Sequence, residues 1–213
     1  MTTTLLRVAE THPACTVLGP GRRFVVWVQG CGIGCADCVS PQWIPFASGH
    51  DVPVAELAER ITDEAADGLT LSGGEPFAQA GALADLVGQV RARRDLSVLS
   101  YTGYTIEHLR RHGSSDKHRL LAALDLLIDG PYLVGRQASL RWRGSANQRI
   151  HVLTDRHAHL LDEPDVSAGL QFEVAADSTV RWLGAPPVAG LRQRLERRLG
   201  LVPARPDPEE HTP

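Results

Sequence analysis

No stretch of this sequence is long and apolar enough to span a bilayer, so no membrane partner is expected. The opening residues, MTTTLLRVAETHPAC, also lack the charged segment and apolar core of a secretory leader, and the expectation is a cytoplasmic chain. Lysine is almost missing: Lys117 stands alone, and every other basic side chain is an arginine. With 22 basic residues against 25 acidic ones and a formal charge of −3, there is no basic field of the kind that holds nucleic acid, which is not expected as a partner. No internal repeat is visible. Cysteine is scarce too, with 4 in 213 residues, yet Cys31, Cys35 and Cys38 crowd into GCGIGCADC (30–38) with the spacing C-x3-C-x2-C. In a reducing compartment, clustered thiols point to metal binding or redox chemistry and away from a disulfide framework.

What is present is an alternation of strand-like and helix-like segments. RFVVWVQ (23–29) reads as a buried strand and runs straight into the cysteine loop. VAELAERITDEAAD (54–67) places Val54, Leu57, Ala58, Ile61 and Ala65 at helical spacing, with Gly68 in the place of a helix-ending glycine. LTLS (69–72), LSVLSY (96–101), DLLIDG (125–130) and QRIHVLT (148–154) read as further strands, separated by helical patterns at 78–94, 105–112 and 118–124. Such repeated βα units imply a mostly parallel sheet with crossover helices, either open or part of a barrel. After about residue 165 the pattern changes. GLQFEVAADSTVRWLG (169–184) reads as a β-hairpin turning around Ala176–Ser178, residues 188–200 as a short amphipathic helix, and 201–213 as a disordered tail. The expected division is therefore a core over 1–165, a hairpin-and-helix extension over 166–200, and the tail.

Three thiolates on one tight loop can hold a metal or a cluster, and Gly30, Gly32 and Gly34 let the backbone wrap closely around it. Structural zinc is the competing reading, with Cys15 or one of the nine histidines as fourth ligand. Zinc sites of that kind usually join two separated ligand pairs, and no second pair exists here. The spacing favours iron and sulfur, and with three protein ligands a [4Fe–4S] cluster keeps one iron open.

The arrangement resembles the radical S-adenosylmethionine (SAM) family, through C-x3-C-x2-C directly after a first strand and GGEP (73–76) after the next. GPGRRFVVWVQGCGIGCADC (19–38), LTLSGGEPF (69–77), YTGYT (101–105), LIDGPY (127–132) and LRWRGSANQR (140–149) are similar, in this order, to the glycyl-radical-enzyme activating enzymes, and the last three especially to activators of anaerobic ribonucleoside-triphosphate reductase. The resemblance spans residues 15 to 153. It implies a partial (β/α) barrel of about six mostly parallel strands, followed by the C-terminal hairpin and helix.

It further implies that Cys31, Cys35 and Cys38 ligate the cluster, that SAM chelates the open iron, and that its reductive cleavage yields the radical that abstracts hydrogen from a glycyl radical enzyme. An electron donor such as flavodoxin or ferredoxin is implied as well. Gly73 and Gly74 allow close backbone approach, and Glu75 and Pro76 complete the turn, with carbonyls and the Glu75 carboxylate suited to the SAM ammonium. Ser100 and Thr102 carry hydroxyls that can reach ribose or carboxylate, whereas Tyr101 and Tyr104 read as packing residues. Asp129 ends a strand too apolar to want it, so it either faces the ligand or caps the following turn. Arg143, Ser145 and Asn147, with Gln148, form a polar cluster that the resemblance turns toward SAM. Asp37 stands where many radical SAM proteins carry an aromatic, and the segment from 155 to 200 exceeds the compact activators. A radical SAM enzyme acting on a peptide or small metabolite, and a non-catalytic zinc-stabilised binding protein, are the alternatives.

Overall fold

In the computed structural model, which describes residues 3–174, 180–188 and 190–199, the chain begins with a strand that its sequence does not advertise. β1 (Leu5–Cys15) runs antiparallel to β2 (Arg23–Val28). Register shifts between Val8 and Glu10 and between His12 and Cys15 break the strict alternation by which a strand is read from sequence. β3 (His50–Pro53) follows the cysteine loop and pairs antiparallel with β1. The chain continues through α1 (Val54–Asp63), β4 (Gly68–Gly73), α2 (Ala80–Arg91), β5 (Ser97–Tyr101), α3 (Ile106–His112), α4 (Ser115–Ala122) and β6 (Leu126–Asp129). A small hairpin, β7 (Gln137–Leu140) and β8 (Arg143–Ser145), leads to β9 (Arg149–Val152). The extension consists of the hairpin β10 (Gln171–Val174) and β11 (Val180–Leu183), then α5 (Leu191–Leu199). The hairpin turn expected at Ala176–Ser178 and the tail 201–213 lie outside the described residues. Among the described residues no helix is long and apolar enough to cross a membrane.

The large sheet has the order β3-β1-β2-β4-β5-β6-β9, and only β2, β4, β5 and β6 are mutually parallel neighbours. The expected six mostly parallel strands thus become four within a mixed seven-stranded sheet. β9 runs antiparallel to β6 because a hairpin, and not a crossover helix, separates them, and a parallel return needs the longer connection. The helix read over 54–67 stops at Asp63, where Glu64 turns extended. Gly68 does not cap it: Gly68 opens β4, where a Cβ would come within 2.1 Å of the Arg23 guanidinium. That guanidinium is fully buried, bonded to Thr70, Ser97 and the Leu69 carbonyl, and burial pushes its pKa down to about 10.

Alternation along the parallel strands sorts their side chains between two faces. Phe24, Val26, Val28, Leu69, Leu71, Val98 and Leu127 share one core with Leu57 and Ile61 of α1, Leu83, Leu86 and Val90 of α2, Leu109 of α3 and Leu120 of α4. Burying each such side chain stabilises the fold by about 1.5–3 kcal/mol. On the other face Val25 and Trp27 pack with Cys15 and with Leu183 of the extension, while Leu99, Leu126 and Ile128 pack with Trp142.

Candidate functional site

Four parallel strands deliver four turns to one end of the sheet, the end at which parallel α/β proteins build their sites. The turns touch. Glu75 N donates to Gly30 O (2.9 Å) and Gly74 N to Val28 O (2.7 Å), which seats GGEP on the start of the cysteine loop. A Cβ on Gly74 would come within 2.3 Å of Gly30 O, and one on Gly103 within 2.8 Å of the Ile33 side chain, so glycine is what permits both approaches. Thr102 N donates to Ile128 O (2.9 Å) and Gly130 N to Tyr104 O (2.9 Å), joining the last two turns.

The cysteine loop is held at its base by its own returning segment, which runs through a 3-10 turn over Pro41–Trp43. Gly30 N donates to Trp43 O and Cys31 N to Ile44 O, while Trp43 packs 5.5 Å from Trp27. Gln29, which the sequence reading passed over, is buried and donates to the carbonyls of Gln42 and Pro45. A glutamine closing so apolar a strand was the available signal.

Cys31, Cys35 and Cys38 are half-buried and unbridged. Cys31 Sγ accepts from Ile33 N and Cys38 Sγ from Ser40 N, each at 3.4 Å, the kind of N–H···S bond that stabilises thiolate sulfur in iron–sulfur loops. Burial pushes both thiols up, with Glu75 and Cys38 adding to the effect at Cys31 and Cys35 adding to it at Cys38. Among the described residues no three His, Cys, Asp or Glu side chains converge tightly enough for one ion. Among the described residues nothing stands within 4 Å of a Cβ built on Gly32 or Gly34, which leaves space for a bulky inorganic group. This donor set fits a cluster, whose ligands are spread over several irons, better than a single zinc held at about 2.3 Å from each sulfur.

Glu75 is only 2 % exposed. Its Oε1 accepts from Phe77 N and Thr102 Oγ1, both 2.9 Å, and its Oε2 from Gly103 N at 2.8 Å, so its carboxylate is spent on joining turns. Burial pushes its pKa up against the pull of those bonds. Pro76 is buried and opens a short 3-10 turn that leads to α2. Ser100 Oγ donates to Tyr101 O, and Ser100 shares the parity of Val98, on the helix side of β5. Asp129 likewise shares the parity of Leu127 and turns toward the helices. Its Oδ2 accepts from Ile106 N (2.7 Å) and Arg149 Nη2 (2.6 Å), and His151 Nε2 stands 3.1 Å away. Of the two possibilities open for Asp129, its geometry is that of a cap, on α3 and not on the adjacent turn. Burial alone would raise the Asp129 carboxyl, but His151, Arg149 and the Ile106 N–H together hold it well below the usual carboxylate range.

The polar cluster after Trp142 is built on the loop that follows β6. Asn147 Nδ2 donates to Pro131 O (2.7 Å), Gln148 Nε2 to Gly130 O (3.2 Å), and Ser145 Oγ accepts from Leu133 N (3.2 Å). Arg143 donates to Gln148 O and pairs with Asp165. Two atoms of this cluster, Arg143 Nε and Asn147 Oδ1, are buried without a protein partner among the described residues. Tyr101 packs as expected, with its hydroxyl donating to Trp142 O.

The profile of the 4Fe-4S single cluster domain family matches residues 17–151, more than half of the chain and all of these turns. The chain is 34% identical over 155 residues to an anaerobic ribonucleoside-triphosphate reductase-activating protein of Vibrio cholerae, covering 68% of this chain and 97% of that one. The protein of the same name from Haemophilus influenzae is 32% identical over 151 residues, covering 67% of this chain and 95% of the relative. The crystal structure of QueE from Escherichia coli aligns with 47% of this chain and 54% of that one at 17% identity and a TM-score of 0.37, a likeness too slight to bear on fold or chemistry. Fold, cysteine loop and profile define an iron–sulfur protein with a single 4Fe–4S cluster. Within that class the chain belongs to the family of anaerobic ribonucleoside-triphosphate reductase-activating proteins.

Proposed function

We propose that Cys31, Cys35 and Cys38 hold a [4Fe–4S] cluster with one open iron, that the ends of β2, β4, β5 and β6 hold SAM against it, and that the enzyme raises a glycyl radical on a partner, an anaerobic ribonucleoside-triphosphate reductase. The observation that carries this reading is the bond from Glu75 N to Gly30 O, which seats the GGEP turn on the cysteine loop in a chain whose relatives activate such reductases. When bound, the cluster supplies the electron for reductive cleavage of the SAM sulfonium.

The chain's own residues bind, orient and exclude water. Gly73 and Gly74 bring backbone close to the methionine moiety, and Pro76 fixes the direction in which the turn leaves. Glu75 and Thr102 hold that turn against the next one, while Ser100 and Asp129 support the ends of β5 and β6 from the helix side. Arg143, Ser145 and Asn147 form the far wall, where Arg143 Nε and Asn147 Oδ1 have bonding capacity left for a nucleoside. A flavodoxin- or ferredoxin-like donor supplies the electron, and the cytoplasm is the compartment that keeps the thiols reduced.

One observation favours a second reading. The β10–β11 hairpin and α5 lie outside the residues the family profile matches, which leaves room for a different substrate, such as a peptide or metabolite. Mixing the reconstituted enzyme anaerobically with SAM, a reductant and an anaerobic ribonucleotide reductase separates the two by electron paramagnetic resonance. A glycyl radical doublet on the reductase is expected. SAM cleavage without that doublet rejects the partner and leaves the second reading standing.

A further inference from the structure

Four consecutive residues of the loop after β6 are each held by a side chain from the segment 137–148. Gln148, Asn147 and Ser145 hold Gly130, Pro131 and Leu133, and the Tyr132 hydroxyl donates to Gln137 Oε1 at 2.8 Å. Gln137 differs from the other three in reaching beyond these two segments: its Nε2 donates to Pro186 O at 2.9 Å. Pro186 belongs to the extension, beyond the last residue of the family profile.

The extension is itself firmly docked. Glu173 Oε1 lies 2.7 Å from His12 Nε2, the Gln171 amide bonds Ala14 O and Thr16 N, and Leu183 is buried against Val17, Val25 and Trp27. Tyr132 thus stands where the loop after β6 meets the segment 137–148 and, through it, the extension. Its ring lies where a Cβ on Gly144 would come within 3.1 Å, and its hydroxyl reaches the extension through Gln137. Burial and then the Asp37 charge push the Tyr132 phenol up, which keeps it a neutral donor to Gln137.

We propose that the C-terminal extension is a strut of the active site, and that Gln137 is the positioning residue that transmits it, by fixing Tyr132 in the wall of the SAM pocket. The proposal rests on the SAM-binding reading above. Gln137 touches no reacting group. A residue of this kind holds the pocket in its binding shape before the ligand arrives, so its loss weakens ground-state binding and leaves the bound complex to react at its normal rate.

The test uses the full-length chain with Gln137→Ala, Tyr132→Phe, their double variant, and Leu183→Ala, which loosens the extension without touching Tyr132 or Gln137. Hydrogen exchange is followed in the cluster-free protein, and the KM for SAM and kcat are measured on the reconstituted enzyme with dithionite as reductant. Gln137→Ala and Tyr132→Phe are each expected to raise the KM about three- to tenfold, the size of one lost hydrogen bond, with kcat within about twofold of wild type. The double variant should be no worse than the poorer single one, because both cut the same chain of bonds. Amides of 130–134 should exchange faster in all of them, Leu183→Ala included. If Leu183→Ala speeds exchange within 169–174 and 180–188 but leaves 130–134 at the wild-type rate, the strut is overturned. Wild type that cleaves no SAM sinks the SAM reading instead, and the exchange pattern still decides the strut.

Discussion

The Thr102 hydroxyl donates to Glu75 Oε1 at 2.9 Å, tying the turn after β4 to the turn after β5. Through Gly103, whose amide also bonds Glu75 and whose backbone lies against Ile33, that tie reaches the cysteine loop. An acid that its motif offers as a ligand is, in this chain, also a structural brace.

The brace makes a prediction about the protein without its cluster. Glu75→Ala leaves two amides and a hydroxyl without their acceptor, and should destabilise the cluster-free chain by about 3 kcal/mol or more. Glu75→Gln keeps one acceptor oxygen and should lose clearly less. Urea unfolding of the cluster-free variants measures both, and equal stability of Glu75→Ala and wild type contradicts the brace.

Asp129 gives a pH dependence. Its folded carboxyl lies below the unfolded value of about 3.9, so the charged form is the one that folding favours. The stabilisation is fully present above that unfolded value and is lost as pH falls through the folded one. Asp129→Asn should cost about 2 kcal/mol at neutral pH, less than the roughly 3–5 kcal/mol of a fully buried pair, because Arg149 is half exposed and screened. Unfolding measured from pH 7 downward should show a constant gap to about pH 5 and a narrowing gap below about pH 4. A gap that widens in acid has the wrong sign for this account.

Cys15 tests which thiols matter. It is completely buried among Val17, Val25 and Trp27, and its thiol is pushed up by that burial. Cys15→Ala should cost about 1 kcal/mol of packing and leave the iron and sulfide content of the reconstituted protein unchanged. Loss of metal in this variant would revive Cys15 as a fourth ligand.

The parts of the site that sequence makes legible are those fixed along the chain. The spacing of Cys31, Cys35 and Cys38, the GGEP turn and the apolar runs of β2, β4, β5 and β6 depend on neighbours in sequence, and the expected turns do gather at one end of the sheet. What escaped depends on pairing across long separations. β1 hides because its register shifts scramble the alternation, and β9 reads as one more strand whose direction only the β7–β8 hairpin decides. The parity that turns Asp129 and Ser100 toward the helices was countable from Leu127 and Val98 once those were assigned to a face. Gln137 carried no local signal at all, since its two partners lie 5 and 49 residues away.

The most direct test of the central claim is 5′-deoxyadenosine formation by anaerobically reconstituted protein given SAM and a strong reductant, with Cys35→Ala beside wild type. Wild type should contain iron and sulfide and produce 5′-deoxyadenosine, and Cys35→Ala should lose both cluster and product. Stoichiometric zinc without sulfide in the wild type, or cleavage that survives in Cys35→Ala, would contradict the account.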